Sequence, residues 1–86
     1  ILVAGHSDDR PVTSGRFRSN WDLSASRAVS VVHELVLDGS LEARRVAAVG
    51  RAETYPLVPN DSDENRALNR RVEIHVQGAE CRLDGL

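Results

Sequence analysis

The stretch that decides the fold is Ser19-Asn-Trp-Asp-Leu-Ser-Ala-Ser-Arg-Ala-Val-Ser-Val-Val-His-Glu-Leu-Val-Leu-Asp-Gly39. Ser19, with an acid three residues later, is typical of the capping box at a helix start, and Gly39 is typical of the residue just past a helix end. Between them, apolar residues recur at the three- and four-residue spacing of one buried helix face. This stripe consists of Trp21, Ala25, Ala28, Val32 and Leu35, widened by Val31 and Val36. The sequence therefore predicts a helix from Ser19 to about Asp38.

Apolar segments on both sides of this helix predict strands. Residues 1–5 read Ile-Leu-Val-Ala-Gly, a continuous run that fits a strand buried on both faces, and residues 45–50 read as a second strand. Strand, helix and strand in this order form a βαβ unit with a right-handed crossover. Residues 6–20 and 51–61 are polar connections, and long connections in compact domains are often functional.

The last third of the chain predicts one more helix and one more strand. Residues 62–69 open with a Ser and two acids, which favours a short helix. Residues 70–76 alternate, so Val72, Ile74 and Val76 should face the core and Arg71, Glu73 and His75 should face solvent. We expect residues 1–78 to form one domain and residues 79–86 a flexible tail.

The composition indicates a globular domain and argues against one class of partner. The chain has 86 residues, of which 41% are hydrophobic and 28% charged, as in a globular domain. Aromatic residues make up only 3%, so the core must be aliphatic. All 11 basic residues are Arg, and 13 acids leave a net charge of −2, which argues against nucleic acid as a partner because phosphate binding needs a basic surplus.

Four absences also guide the interpretation. The single cysteine, Cys81, cannot form an internal disulfide framework. No apolar run approaches the roughly 20 residues of a transmembrane helix, and no segment resembles a signal peptide. The chain contains no Met and opens inside an apolar run, so we expect it to be a fragment whose targeting or membrane segment lies upstream.

Two charged residues are candidates for a binding site. Asp8 follows the first strand and Arg27 lies one turn into the helix, and in a βαβ unit the strand end and the helix start share one edge. A carboxylate beside a guanidinium suits the zwitterionic end of an amino acid, since Arg binds its carboxylate and Asp accepts from its ammonium. The alternative is that Asp8 caps its own turn while Arg27 forms a solvated surface pair.

Four motifs then stand in register, and together they resemble the OmpA-like peptidoglycan-binding domain. They are Gly5-His-Ser-Asp8, Leu23-Ser-Ala-Ser-Arg-Ala28, Val46 to Gly50, and Asn69-Arg-Arg-Val-Glu-Ile74. The stretch from Phe17 to Ala28 is similar to the MotB branch, the stator component of the flagellar motor. The resemblance implies an α/β two-layer sandwich, a mixed β-sheet with helices on one face, whose first strand and helix are missing upstream. Ser7 replaces the usual Thr, and Arg51 stands where the family commonly has an aromatic residue.

The resemblance also implies a function and a site. It implies a non-catalytic periplasmic domain that holds a bacterial inner-membrane protein to the cell wall without a cofactor. Peptidoglycan is the implied partner, through the diaminopimelate of its stem peptide, with a homodimer and a MotA-like partner possible in the motor branch. The implied ligand-binding residues are Asp8, Asn20, Arg27 and Arg70. Arg70 has the alternative of a solvent-facing edge charge, because the sequence does not fix its position.

Rival functions rest on weaker patterns. Residues 5–9 faintly resemble the nucleophile elbow of a serine hydrolase with Ser7 as nucleophile, but Asp9 stands where a Gly is needed. His6, Asp8 and Asp9 cluster without the spacing of metal ligands, so we expect no metal, and His6 is better read as a loop or packing residue. Within the family, the alternative is an outer-membrane protein or lipoprotein that tethers the outer membrane to the wall.

Overall fold

The predicted elements form in the predicted order. The computed structural model describes residues 1–13 and 15–76 in full and the backbone of residues 79–84. The elements are β1 (Leu2–Gly5), α1 (Asn20–Leu37), a 3₁₀ turn (Ala43–Arg45), β2 (Ala47–Gly50), α2 (Asp63–Asn69), β3 (Arg71–Val76) and β4 (Ala79–Asp84). The second strand begins two residues later than expected because residues 43–45 take the 3₁₀ turn.

The strands form one mixed sheet in the order β2-β1-β3-β4. Strand β1 pairs in parallel with β2, as the βαβ unit requires, and antiparallel with β3. Gly5 at the end of β1 lies opposite Gly50 on one side and Val72 on the other. The α/β layered architecture with a mixed sheet is therefore confirmed.

Helix α1 begins and ends at the predicted residues. The Ser19 side chain accepts a hydrogen bond from the backbone N–H of Asp22, so it caps the helix. Instead of reaching back to Ser19, the Asp22 carboxylate accepts from the backbone and guanidinium of Arg18. At the other end Gly39 has φ of +81°, the left-handed conformation that glycine adopts without strain.

Helix α1 packs directly on β1 and β2, and glycines make this possible. A Cβ on Gly5 would lie 2.0 Å from the carbonyl oxygen of Ser24, and a Cβ on Gly50 would lie 2.6 Å from the backbone nitrogen of Ala25. The small aliphatic core that results is centred on Val3, Ala28 and Val72, with Val31, Val32, Leu35, Val46 and Ile74 packed against it. Trp21 departs from the predicted stripe, since it is 54% exposed at the first turn.

The second face of the sheet is not solvated in the way that the alternation of β3 predicts. Val72 and Ile74 do face α1, but Arg71 and Glu73 on the opposite face are 3% and 6% exposed. They form a buried ion pair with Arg71 Nε 2.6 Å from Glu73 Oε2. The prediction of a wet face is wrong because these two charges satisfy each other, and His6 at the end of β1 covers them.

The expectation of a flexible tail over residues 79–86 is wrong for residues 79–84. These form β4, which pairs antiparallel with β3 along its whole length, from Val76↔Ala79 to Arg71↔Asp84. Residues 77, 78, 85 and 86 lie outside the described part of the chain. Among the described residues, neither helix combines the length and the apolarity that crossing a bilayer requires.

Candidate ligand-binding site

Three of the four predicted site residues line one groove at the edge where β1 ends and α1 begins. Asp8 follows β1, Asn20 is the first residue of α1, and Arg70 caps the end of α2 just before β3. The groove has a volume of about 300 Å³. It is lined by Asp8, Arg10, Pro11, Val12, Thr13, Phe17, Asn20, Leu23 and Arg70.

Asp8 is the acidic centre of this groove and uses both of its carboxylate oxygens. Oδ2 lies 2.7 Å from Nη1 of Arg70, while Oδ1 accepts the backbone N–H of Arg10 at 3.0 Å. The alternative raised from the sequence, in which Asp8 caps its own turn, is therefore compatible with the ion pair, because each role uses a different carboxylate oxygen. Arg70 lies across the groove from the loop and not on a free sheet edge, although 62 positions separate it from Asp8.

Arg27 completes the charged group from the helix. Burial lowers the pKa of its guanidinium, and the positive charge of Arg70 lowers it further, while Asp8 acts in the opposite direction. Both charges thus lie close enough to act on Arg27, but Arg27 does not line this groove and instead lines a separate depression on α1 with Ser26, Ser30, Val31 and Glu34. The Nη1 atom of Arg27 is buried and has no hydrogen-bond partner among the described residues. This guanidinium nitrogen keeps an unused hydrogen-bond donor, which reaches an anion only when the side chain moves toward the surface.

Asn20 joins the loop after β1 to the loop after β2. Its Nδ2 donates to the carbonyl oxygen of Arg10 at 3.0 Å and to the carboxylate of Glu53 at 2.9 Å, with Asp8 O at 3.4 Å. Glu53 was not identified from the sequence. The only signal for it was its place in the Gly50-to-Glu53 segment, and nothing local indicated that it reaches the helix start.

The loop after β2 is tied to the site by backbone hydrogen bonds. Ser7 N donates to Ala52 O, and Ala52 N donates to the buried hydroxyl of Ser24, each at 2.9 Å. Ala52 has a φ of +52°, a left-handed conformation that turns the chain toward Asn20. Arg51, unusual at its position, stacks its guanidinium 4.6 Å from the centre of the Tyr55 ring.

The arrangement matches a zwitterionic ligand. The unpartnered Nη1 of Arg27 and the guanidinium of Arg70 offer donors for a carboxylate. The carboxylate of Asp8, shared with Arg70, has remaining lone pairs for an ammonium group. A ligand that carries both charges on one carbon could therefore satisfy both sides of the groove at once.

A second polar group lies on the sheet face opposite α1. His6 is 2% exposed and lies 3.4 Å from Glu73, which also contacts Arg71 and His75. Burial lowers the pKa of the His6 imidazole, and the neighbouring Arg71 and Arg51 lower it further against the opposing effect of Glu73. For Glu73, burial alone would raise the pKa, but Arg71 outweighs burial and the pKa is lowered. The reading of His6 as a packing residue is confirmed.

The described residues offer little for the rival chemistries. Ser7 is buried, and its hydroxyl donates to the carbonyl oxygen of Asp8 at 3.0 Å. Within residues 1–13 and 15–76, no hydrogen bond joins this hydroxyl to a side chain that could act as the general base of a nucleophilic serine. Within those same ranges, no group of three or more His, Cys, Asp or Glu side chains is arranged to hold a metal ion.

Comparison with known families and proteins gives a consistent result. The model of the OmpA family matches residues 1–70. Motility protein B of Bacillus subtilis (strain 168) is 39% identical over 76 residues, which are 88% of this chain and 29% of that protein. Outer membrane porin F of Pseudomonas aeruginosa is 41% identical over 75 residues, 87% of this chain and 20% of that protein. The chain thus spans less than a third of these curated relatives.

Solved structures share the fold at similar identity. The cell wall anchor of the T6SS from Pseudomonas aeruginosa superposes with a TM-score of 0.77 at 41% identity. That match covers 99% of this chain and 54% of the solved chain. The likeness therefore extends over nearly the whole of the present chain and about half of its structural neighbour.

Proposed function

Because this chain belongs to the OmpA family, a family of cell-wall anchoring domains, we propose that it binds peptidoglycan non-covalently and holds a membrane protein to the wall. The group that it grips is the zwitterionic end of diaminopimelate in the stem peptide. The observation that carries the proposal is the ion pair of Asp8 and Arg70 in a groove that Asn20 also lines, with Arg27 near enough for both charges to act on it. Asn20, at the helix start, is the fourth binding residue.

The charges of the groove support this ligand. The carboxylate of the ligand lies against Arg70 and against Arg27, which moves its unpartnered Nη1 to meet it, and its ammonium lies against Asp8. Each charge-assisted hydrogen bond of this kind contributes about 1.5–3 kcal/mol in a sheltered site. Two of them are enough for a weak contact at one stem peptide, and many stem peptides along the wall provide the avidity of an anchor.

A catalytic role is excluded by family membership, since the OmpA family is not a family of enzymes. The serine hydrolase alternative, with Ser7 as nucleophile, is therefore dropped. The buried hydroxyl of Ser7 instead joins the turn that presents Asp8.

The protein that this domain anchors is a MotB-type stator of the flagellar motor in our proposal. Similarity to Motility protein B supports this reading. In this proposal the domain lies in the periplasm as part of an inner-membrane protein, with a MotA-like partner and a second copy of the chain. A tether of the outer membrane is the second candidate, supported by the 41% identity to an outer membrane porin. Both candidates use the same contact with the wall.

The test is sedimentation of the purified chain with isolated cell-wall sacculi. Asp8→Asn keeps the acceptor for the Arg10 N–H but removes the charge, and Arg27→Met removes the guanidinium while keeping much of the side-chain volume. We expect each change to lower the affinity at least about ten-fold, which corresponds to one lost charge-assisted hydrogen bond. Arg44→Met is the matched control, because Arg44 is exposed and precedes β2 at the far end of the strands.

Soluble competitors identify the group that is bound. The tripeptide L-Ala-γ-D-Glu-meso-diaminopimelate should displace the chain from sacculi, whereas the same tripeptide with L-Lys in the third position, which lacks the second carboxylate, should compete poorly. Thermal unfolding of each variant checks that it is folded. Wild-type affinity in both folded site variants would remove Asp8 and Arg27 from the site.

A further inference from the structure

The orientation of the Asn20 amide is set by its neighbours. Its Nδ2 faces Glu53 Oε2 at 2.9 Å and Arg10 O at 3.0 Å. Carboxylate and carbonyl oxygens accept hydrogen bonds and cannot donate them, so only the nitrogen of the amide can occupy this position. If the amide were rotated by half a turn, its oxygen would face two other oxygens at hydrogen-bond distance. Chemistry alone therefore fixes which end of Asn20 points inward.

This orientation determines which hydrogen-bonding group Asn20 can offer to a ligand in the groove. Both amide hydrogens are used by Glu53 and Arg10, so Asn20 has no donor left for a ligand. Its Oδ1 receives no hydrogen bond from any residue that the structure describes, and Asn20 is part of the groove wall. Asn20, which lines the groove together with Asp8, therefore has a free acceptor and no free donor.

Glu53 is held in place firmly enough to impose this orientation. The loop that carries it is bound at three consecutive points: Arg51 N to Gly5 O, Ala52 N to Ser24 Oγ, and Ala52 O to Ser7 N. Each of these hydrogen bonds is 2.9 Å long. Glu53 follows directly and does not itself line the groove, so it acts from behind Asn20.

We infer that Glu53 is a positioning residue of the binding site: it fixes the Asn20 amide with its oxygen toward the ligand and thereby makes the site select ligands that carry a free ammonium group. The inference rests on the proposed function. A ligand whose amine is acetylated has one N–H in place of the charged donor and cannot bind Asp8 and Asn20 together. Glu53 thus sets specificity without touching the ligand.

The experiment compares two ligands against three chains. The ligands are the tripeptide L-Ala-γ-D-Glu-meso-diaminopimelate and the same tripeptide acetylated on the free amine of its diaminopimelate. The chains are wild type, Glu53→Ala, and Glu53→Gln, in which the amide oxygen can still accept from Asn20. Calorimetry or an NMR titration gives the ratio of the two dissociation constants for each chain, after thermal unfolding has checked the fold.

We expect Glu53→Ala to shrink the ratio about ten-fold, because Asn20 is then held only by the carbonyl oxygens of Arg10 and Asp8 and one of its amide hydrogens is left without a protein acceptor. Glu53→Gln should keep the ratio within about two-fold of wild type. If Glu53 only stabilises the fold, Glu53→Ala weakens both ligands by the same factor and the ratio is unchanged, which overturns the inference. A wild-type chain that binds neither ligand overturns the proposed function instead, so the two failures are distinct.

A measurement on the wild-type chain decides the matter if Glu53→Ala does not fold. The side-chain NH₂ signals of Asn20 should stay in place when the unmodified tripeptide is added, because both hydrogens face Glu53 and Arg10. The side-chain NH₂ of Asn65, bound to Asp61 away from the groove, is the internal reference. A ligand-dependent shift of the Asn20 pair alone, with a size typical of a new hydrogen bond, would refute the assigned orientation.

Discussion

Replacing Gly5 by Ala should separate the helix from the sheet at the point where the binding site is assembled. The added Cβ would lie 2.0 Å from the carbonyl oxygen of Ser24 and 3.3 Å from the backbone nitrogen of Ala28. Ordinary contacts begin at 3.4 Å, and both neighbours are backbone atoms of α1, which cannot move without the helix. The helix must therefore shift away from β1, and it carries Arg27 with it.

The destabilisation expected for Gly5→Ala can be compared with the free energy of unfolding of the whole chain. Overpacking a well-packed core costs about 1–3 kcal/mol and occasionally more, and a contact this short with rigid backbone belongs at the upper end. A chain of this length has a free energy of unfolding of roughly 4–13 kcal/mol at the usual value per residue. A loss of about 3 kcal/mol would lower the urea midpoint by about 2 M at a typical slope for a small domain.

Two other glycines provide matched controls. Gly39→Ala meets no atom within 4 Å, but its φ of +81° imposes a strain of about 1–2 kcal/mol on Ala. Gly15→Ala meets neither a neighbour nor a positive φ, so its free energy of unfolding should change by less than about 0.5 kcal/mol. Urea unfolding followed by circular dichroism gives the order Gly15→Ala, Gly39→Ala, Gly5→Ala. If Gly5→Ala were as stable as Gly15→Ala, the close seating of α1 on β1 would be wrong.

Two further predictions concern the buried polar groups. The free energy of unfolding should fall as the pH drops below about 6.5, the ordinary pKa of His6, because burial lowers that pKa in the folded chain and the unfolded chain then binds more protons. A second fall in the free energy of unfolding should begin below about pH 4.5, because the lowered pKa of Glu73 keeps its carboxylate charged in the folded chain while the unfolded chain takes up a proton. Urea titrations at several pH values measure both falls, and Glu73→Gln should flatten the second one. Asn69→Ala should cost about 2–4 kcal/mol, since its buried amide accepts from Leu57 N and Val58 N and donates to Val58 O. Asn65→Ala, at a half-buried position whose amide bonds only to Asp61, should cost less than about 0.5 kcal/mol in the same assay, and equal losses would contradict the role given to Asn69.

The elements of this fold follow from local signals. Ser19 and Ser62 cap helices because their hydroxyls accept N–H groups only three residues ahead, and Gly39 ends α1 through its own φ. Such contacts need no knowledge of the rest of the chain. The same βαβ logic predicts Asp8 and Arg27 at one edge, but the contact that Asp8 makes in the structure is with Arg70, and Nη1 of Arg27 has no hydrogen-bond partner among the described residues.

Interactions between distant segments could not be predicted in this way. The alternation of β3 indicated which residues share a face, but whether that face meets solvent depends on His6, just past the end of β1, and on the loop that carries Tyr55. Arg71 and Glu73 are buried because each supplies the charge that the other needs. The pairing of β4 with β3 was likewise missed, because its register depends on a partner strand and not on its own polar composition.

The amino-acid sequence by itself determined the order of strands and helices, the aliphatic core and the acidic and basic residues on either side of the first loop. Only the tertiary structure decided that Arg70 meets Asp8 and that Glu53 turns the amide of Asn20. The physical reason is distance along the chain. Capping and periodicity act within one or two helical turns, whereas these contacts join residues 62 and 33 positions apart, and only the packing of α1 and β3 against β1 brings them together.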